Sequence, residues 1–147
     1  MNMNSKAQIC PVCGEAAATA VTFSDTFKHN GANLVVHGLE AYRCANCHSE
    51  PIVPEQIRRH QLRITDAKRA ADGLLSGRQI RAARELLGLS QQEAAVIFGG
   101  GPNGFSKYER GETAQSVAMD RLLRLVTADP SRLAELREMA GGSQRQA

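Results

Sequence analysis

Ser90-Gln-Gln-Glu-Ala-Ala-Val-Ile-Phe-Gly-Gly-Gly-Pro-Asn-Gly-Phe-Ser-Lys-Tyr-Glu-Arg-Gly111 carries two short helices and the turn between them. It opens with a capping box, in which the Ser90 hydroxyl accepts from the Glu93 amide while Glu93 reaches back to the residue 90 amide. The helix that follows carries Ala94, Ala95, Ile97 and Phe98. Gly99-Gly100-Gly101 makes a sharp turn, and Pro102 sits near the first turn of the next helix, where a missing N–H costs little. That helix is expected over Pro102–Arg110, with Phe105 and Tyr108 facing a core and Gly111 as its stop. Two short helices joined by a tight glycine turn, here Gln91–Phe98 and Pro102–Arg110, form a helix-turn-helix.

The surrounding sequence supplies more helices. Ser76 can cap a helix through Leu87, in which Ile80, Ala83 and Leu87 recur at helical spacing and which Gly88 ends. Downstream, Ser116–Thr127 carries Leu122, Leu125 and Val126, and Ser131–Met139 follows Asp129-Pro130. A disordered tail is expected from Gly141. Upstream, Pro51 and Pro54 mark a boundary, and residues 55–75 read as a helix with Ile57, Leu62 and Ile64 as its few large apolar residues. Arg58, Arg59, Arg63, Lys68 and Arg69 dominate it, which suits a solvent-bridging link.

The front of the chain is different. Thr19–Phe23 and Asn33–His37 are rich in β-branched residues, and Asn30-Gly31 between them signals a hairpin turn. Leu39–Arg43 reads as a third short strand. All four cysteines lie in two CxxC pairs, Cys10-Pro-Val-Cys13 and Cys44-Ala-Asn-Cys47, one at each end of this sheet. Such pairs present two thiolates from one tight turn, and two of them complete a closed tetrahedral zinc site. Gly14 suits the left-handed position just past such a turn. One structural zinc per chain is therefore expected on Cys10, Cys13, Cys44 and Cys47.

Other uses of these cysteines fit less well. Disulfides need an oxidising compartment, and the polar run Met1–Ile9 has no apolar secretion signal, so a cytoplasmic setting is expected. Cys44-Ala-Asn-Cys47-His48 matches the haem-attachment pattern but leaves Cys10 and Cys13 idle. A thioredoxin-like pair needs a βαβ context, which is absent. His29, His37, His48 and His60 read as loop or surface residues, His48 being the one candidate substitute ligand. An enzyme with a Cys nucleophile needs a free thiolate beside a His, and cysteines committed to zinc are not free, so no catalytic residue is expected.

The expected fold is α+β. A small zinc-bound β domain (residues 1–52) leads through a helical linker (53–75) to an all-α helix-turn-helix domain of five short helices (76–140), with a tail at 141–147. No apolar stretch is long enough to cross a membrane. The net charge of +3 is unevenly placed: residues 1–50 hold three Lys/Arg against four Asp/Glu, while 51–75 hold five against three and 76–147 hold ten against eight. A slightly basic rear and a slightly acidic front fit a chain whose rear meets phosphate and whose front meets something else.

The second helix of a helix-turn-helix lies in the major groove of duplex DNA with its N-terminal residues on base edges. Here those are Asn103, Gly104, Ser106 and Lys107. Asn pairs in bidentate fashion with adenine, and Lys donates to guanine. Gly104 is small enough to allow close approach, and Gln91 begins the preceding helix, where amides hold a phosphate. Arg78 and Arg110 are expected to add affinity through the backbone.

The Leu-Ser-Gln-Gln-Glu-Ala-Ala run and Phe-Gly-Gly-Gly-Pro-Asn-Gly-Phe-Ser-Lys-Tyr-Glu-Arg-Gly together resemble the XRE-type helix-turn-helix of the MqsA antitoxins. Cys-Pro-Val-Cys-Gly through Tyr-Arg-Cys-Ala-Asn-Cys resembles that family's YgiT-type zinc domain, and the order of the two parts agrees. The resemblance implies a non-enzymatic antitoxin of a type II toxin-antitoxin system. Its zinc domain would block an mRNA-cleaving toxin. Its C-terminal part would form a homodimer that binds a palindromic operator and represses its own operon. The Ser116–Thr127 and Ser131–Met139 segments are expected to make the dimer.

The zinc ligands carry over to the four cysteines and the base-reading Asn to Asn103. The second reader, typically Arg, falls on Lys107, which lacks the guanidinium fork. Either the operator differs or Lys107 contacts phosphate. No toxin-contact residue carries over. The rival reading is a stand-alone zinc-containing repressor without a toxin.

Overall fold

The computed structural model describes residues 6–144. It divides into two compact units, one ending at Ile64 and one starting at Thr65. Two strands, β1 (Ala18–His29) and β2 (Ala32–Cys44), form an antiparallel hairpin. The expected Asn30-Gly31 turn joins them, with φ of 51° and 78°, the left-handed pair that a two-residue hairpin loop requires.

The expected break between a second and third strand is not there: β2 runs through it. Phe23 pairs with Leu39 and Asp25 with Val36, so Ser24 alone faces both His37 and Gly38. This is a β-bulge, and Gly38 takes it at φ +73°. The glycine that looked like a break is the residue that lets one long strand bend.

Helix α1 (Pro54–Ala71) contains the division between the units. It was expected to be a solvated link, yet it buries polar side chains rather than its apolar ones: Gln56, His60 and Arg69 are buried, while Ile57 is exposed. In the first unit His60 Nε2 accepts from the Glu40 amide at 2.7 Å, Arg59 pairs with Glu40, and the Arg63 guanidinium lies against Gly38. Those bonds are what make burial of polar groups tolerable. The helix stops at Ala71, short of residue 75, because Gly73 turns left-handed at φ +71°.

The second unit has the five further helices expected: α2 (Gly77–Leu86), α3 (Gln91–Phe98), α4 (Gly104–Arg110), α5 (Val117–Ala128) and α6 (Leu133–Gln144). Ser76 caps α2 and Ser116 caps α5 through their hydroxyls. The Ser90/Glu93 capping box at α3 is present in both directions, at 3.1 and 2.9 Å. Ile80, Leu87, Leu89, Ala94, Phe105, Tyr108, Met119, Leu123 and Val126 form the shared core.

Several boundaries move, and α6 starts at Leu133 rather than Ser131, after a 3-10 turn at Pro130–Arg132. α4 starts at Gly104, not Pro102, because the Gly104 amide closes a turn on the Gly101 carbonyl at 3.0 Å. Pro102 is then the second residue of a β-turn and Asn103 the third, at φ −107° and ψ 7°. At the other end α6 continues through residues 141–144, where the tail was expected. Each added residue completes one backbone bond on an existing helix, which offsets the modest cost of glycine there. Residues 145–147 of that expected tail lie outside the described residues. No helix among the described residues is long and apolar enough to cross a membrane.

Candidate metal centre and nucleic-acid interface

Hairpin pairing dictates where the cysteines go. Ala18 at the start of β1 pairs with Cys44 at the end of β2, and the Gln8 amide and carbonyl bond to Ala18. Both CxxC turns are thus drawn to the open end of one hairpin. All four Sγ atoms lie within 4.8 Å of one another. Cys10–Cys47 is 3.8 Å and Cys13–Cys44 is 3.7 Å. A tetrahedron with zinc–sulfur bonds of about 2.3 Å puts its sulfurs about 3.8 Å apart, so the donor set fits the ion.

The two turns share one backbone plan. Gly14 N–H donates to Cys10 O at 2.9 Å, and His48 N–H donates to Cys44 O at 3.0 Å. Gly14 has φ +81° and His48 φ +62°. His48 is therefore the second turn's left-handed residue, and it is not in the metal-competent cluster. Around the sulfurs, Ser49 Oγ lies 3.0 Å from Cys47 and 3.7 Å from Cys10. Asn46 Nδ2 donates to Cys13 at 3.6 Å and the Val12 amide to Cys10 at 3.4 Å. Such outer contacts orient ligands and temper their charge. The Cys13 amide brings Cys10 down to about 6. Cys44 is pushed up to about 11: the Cys47 amide opposes the rise, but burial and the neighbouring sulfurs outweigh it. Four thiolates this close repel one another, and a bound dication is what lets all of them stay deprotonated.

In the second unit the α3–turn–α4 arrangement stands as a helix-turn-helix. Asn103 is exposed, and its side chain makes no capping bond to α4. Lys107 is exposed one turn on, its amide bonded to Asn103 O at 3.0 Å, so the two side chains share a face. Ser106 is half-buried beside them, and Arg78 is exposed on α2. Arg110 is exposed and pairs with Glu112 at 3.1 Å.

Two further sequence candidates have neighbours within the protein. Gly104 is buried, and a Cβ there would meet the Tyr108 ring at 3.7 Å, an ordinary contact distance. Gln91 gives its side-chain amide to Glu109 Oε2 at 2.9 Å.

That Glu109 is part of a clamp missed in the sequence. Arg84 grips it with two bonds, at 2.6 and 3.1 Å, and also donates to Leu89 O at 2.8 Å. The side chains are only 12% and 8% exposed. Both residues lie four positions after a core anchor, Ile80 and Phe105, and that spacing was the available signal. A second polar knot centres on buried Asp120, which accepts from the Leu75 amide, Gln115 and Arg124. Burial opposes its charge, but these donors prevail and hold its pKa below the usual aspartate value.

The family model described as the antitoxin component of bacterial toxin-antitoxin system, MqsA, matches residues 8–137 of this chain. The chain belongs to the MqsA antitoxin family. Antitoxin MqsA of Escherichia coli (strain K12) is similar to it, 27% identical over 129 residues that span 87% of this chain and 98% of that protein. The match runs through both units, from ahead of Cys10 into α6. MqsA membership makes the chain the antitoxin half of a toxin-antitoxin pair, and the four clustered cysteines are a site able to hold a metal ion.

Proposed function

We propose that this MqsA-family antitoxin binds one structural zinc, neutralises an mRNA-cleaving toxin through its N-terminal unit, and represses its own operon as a cytoplasmic homodimer on a palindromic site. The observation that carries the DNA part is the pair Asn103 and Lys107. They are exposed on one face at the start of α4, and the Asn103 side chain is not spent on capping. In the reading α4 enters the major groove and Asn103 bonds the edge of an adenine. Lys107 donates to a guanine or, as a compact charge, to phosphate. Arg78 and Arg110 add affinity at the backbone, with Ser106 and Gln91 as supporting contacts. Two-fold symmetry through α5 and α6 sets the two recognition helices one DNA turn apart. The zinc closes the open end of the hairpin, which keeps a toxin-facing sheet folded. No step here is catalytic.

The test is titration of the full chain on a duplex taken from upstream of its own gene, and on a scrambled duplex of equal composition. Asn103→Ala should lose about 1–3 kcal/mol of preference between them. Arg110→Ala should weaken both alike and lower the salt slope by about one. Equal losses on both duplexes for Asn103→Ala would remove the readout assignment. Co-expression with the neighbouring reading frame tests the toxin, since a growth-arresting product should co-purify in stable complex.

A further inference from the structure

Recognition helix α4 has only seven residues, too few to hold its own shape in water. Its N-terminal residue is not capped by a side chain. What holds it is at the other end. Arg69 on α1 donates through Nη2 to Tyr108 O at 2.8 Å and to Thr113 O at 3.0 Å. Thr65, one turn earlier on α1, donates its hydroxyl to Gly111 O at 2.6 Å. These carbonyls belong to the last turn of α4 and the loop leaving it.

Arg69 is the bulkiest fully buried side chain among the described residues. Its charge sits at the negative end of α4 and is balanced by Asp66 at 2.9 Å. The same Asp66 oxygen accepts from the Gly77 amide, 2.9 Å away at the start of α2. One fork therefore ties α1 to the exit of α4, and its counter-ion ties α1 to α2. Lys107 lies one residue before the gripped Tyr108 carbonyl, and its own carbonyl receives the Gly111 and Glu112 amides.

We propose that Arg69, assisted by Thr65, is a positioning residue for sequence readout: it fixes the exit of α4 and so the angle at which Asn103 and Lys107 are offered to base edges. This rests on the DNA reading above. Base readout is sensitive to such an angle because a bidentate pair demands geometry, whereas phosphate attraction does not. A lysine at 69 would keep the charge but has no planar fork with which to serve Asp66 and two carbonyls together.

The experiment uses the full chain with Arg69→Lys and Thr65→Val, read by amide hydrogen exchange and by titration on the upstream and scrambled duplexes. For Arg69→Lys, exchange at residues 107–110 should rise about tenfold, with α2 and α5 unchanged. The affinity ratio between the duplexes should fall about fivefold, with scrambled binding unaltered. Thr65→Val, which deletes one hydroxyl and spares the buried charge, should move both readouts the same way by less. It decides the matter if the lysine variant does not fold. Exchange that rises equally in α2, α4 and α5 would show a general stabiliser and overturn the proposal. So would loosened α4 amides with an unchanged affinity ratio. A wild-type chain with no preference between the duplexes overturns the DNA reading instead, and the exchange pattern then decides the lock by itself.

Discussion

The unit through Ile64 buries few large apolar side chains, its buried set being Cys10, Ala18, Val36, Leu39, Ala41 and Cys44. The unit from Thr65 buries Ile80, Leu87, Leu89, Phe105, Tyr108, Met119, Leu123 and Val126, with the Phe105 ring tilted against Phe98 at 5.9 Å and T-shaped to Tyr108 at 5.7 Å. Each fully buried large apolar side chain supplies about 1.5–3 kcal/mol, so the second unit can be held by its own core. The first has little of that to draw on. A small fold with so thin a core needs a staple, and among the described residues the tetrad of cysteines is able to supply one by holding a metal ion. The difference also shows in polar chemistry. The first unit spends its polar bonds on sulfur and on α1. The second spends them in buried knots around Glu109, around Asp120 and around Arg69.

The largest expected effect breaks the comparison at the staple. Cys10→Ser, or zinc removal by a chelator, should unfold the hairpin while leaving α2–α6 helical. In small metal domains ligand binding and folding are one equilibrium. Metal analysis of the intact protein should find one zinc per chain, and hairpin amides should lose protection on chelation. A hairpin that stays protected without metal would mean the apolar contacts of Leu39 and Val36 suffice.

The next effect belongs to the other unit. Arg84→Met leaves the Glu109 carboxylate buried without its partner, which costs about 3–5 kcal/mol. Denaturant melting followed at helical wavelengths should show that loss, with zinc affinity unaltered. Glu109 also holds Gln91, so the variant should weaken DNA binding on any sequence. A loss under about 1 kcal/mol would place the clamp among surface ion pairs.

Acid should act on the second unit through Asp120. Its carboxylate has a pKa below the ordinary 3.8, since donation by Leu75, Gln115 and Arg124 outweighs burial. A depressed carboxylate contributes stability that is full above its unfolded value and is lost as pH falls through the folded one. Asp120→Asn should therefore flatten the acid limb of the stability curve below pH 3.8 and lower stability at neutral pH. An unchanged acid limb would show that the proton is taken up elsewhere.

Much of this was readable in the chain, for a physical reason. The Ser90/Glu93 box, the Asn30-Gly31 turn and each CxxC turn are local, so their chemistry is complete within a few residues. The bulge at Gly38 was not, because a left-handed glycine inside a strand and one ending it look alike until the partner strand is known. Arg69 was read as part of a solvated basic surface, and Arg84, Glu109 and Asp120 did not stand out at all. Their burial depends on partners 25 to 45 positions away, such as Glu109 for Arg84, the Tyr108 and Thr113 carbonyls for Arg69 and the Leu75 amide for Asp120, which no local pattern announces. Helix α1 was misjudged by the same rule. Its basic residues made it look solvent-facing, and of these Arg59, Arg63 and Arg69 are engaged by other segments.

The smallest effect separates the two zinc turns from each other. They share the same carbonyl-to-amide closure and the same left-handed residue after the second cysteine, but one uses Gly14 and the other His48. A Cβ at residue 14 meets nothing within 4 Å, so Gly14→Ala tests backbone strain alone. Left-handed backbone costs a non-glycine residue about 1–2 kcal/mol, which should appear as roughly tenfold weaker zinc binding in competition with a chelator. His48→Gly removes the equivalent strain at the second turn. The gain should be only a few tenths of a kcal/mol, because glycine also enlarges the unfolded ensemble by a similar amount. If His48→Gly instead weakens zinc markedly, the imidazole contributes to the site by itself and the two turns are not equivalent. If both substitutions are silent, the turns are held by the sulfur–metal bonds, and their backbone conformation follows from the metal.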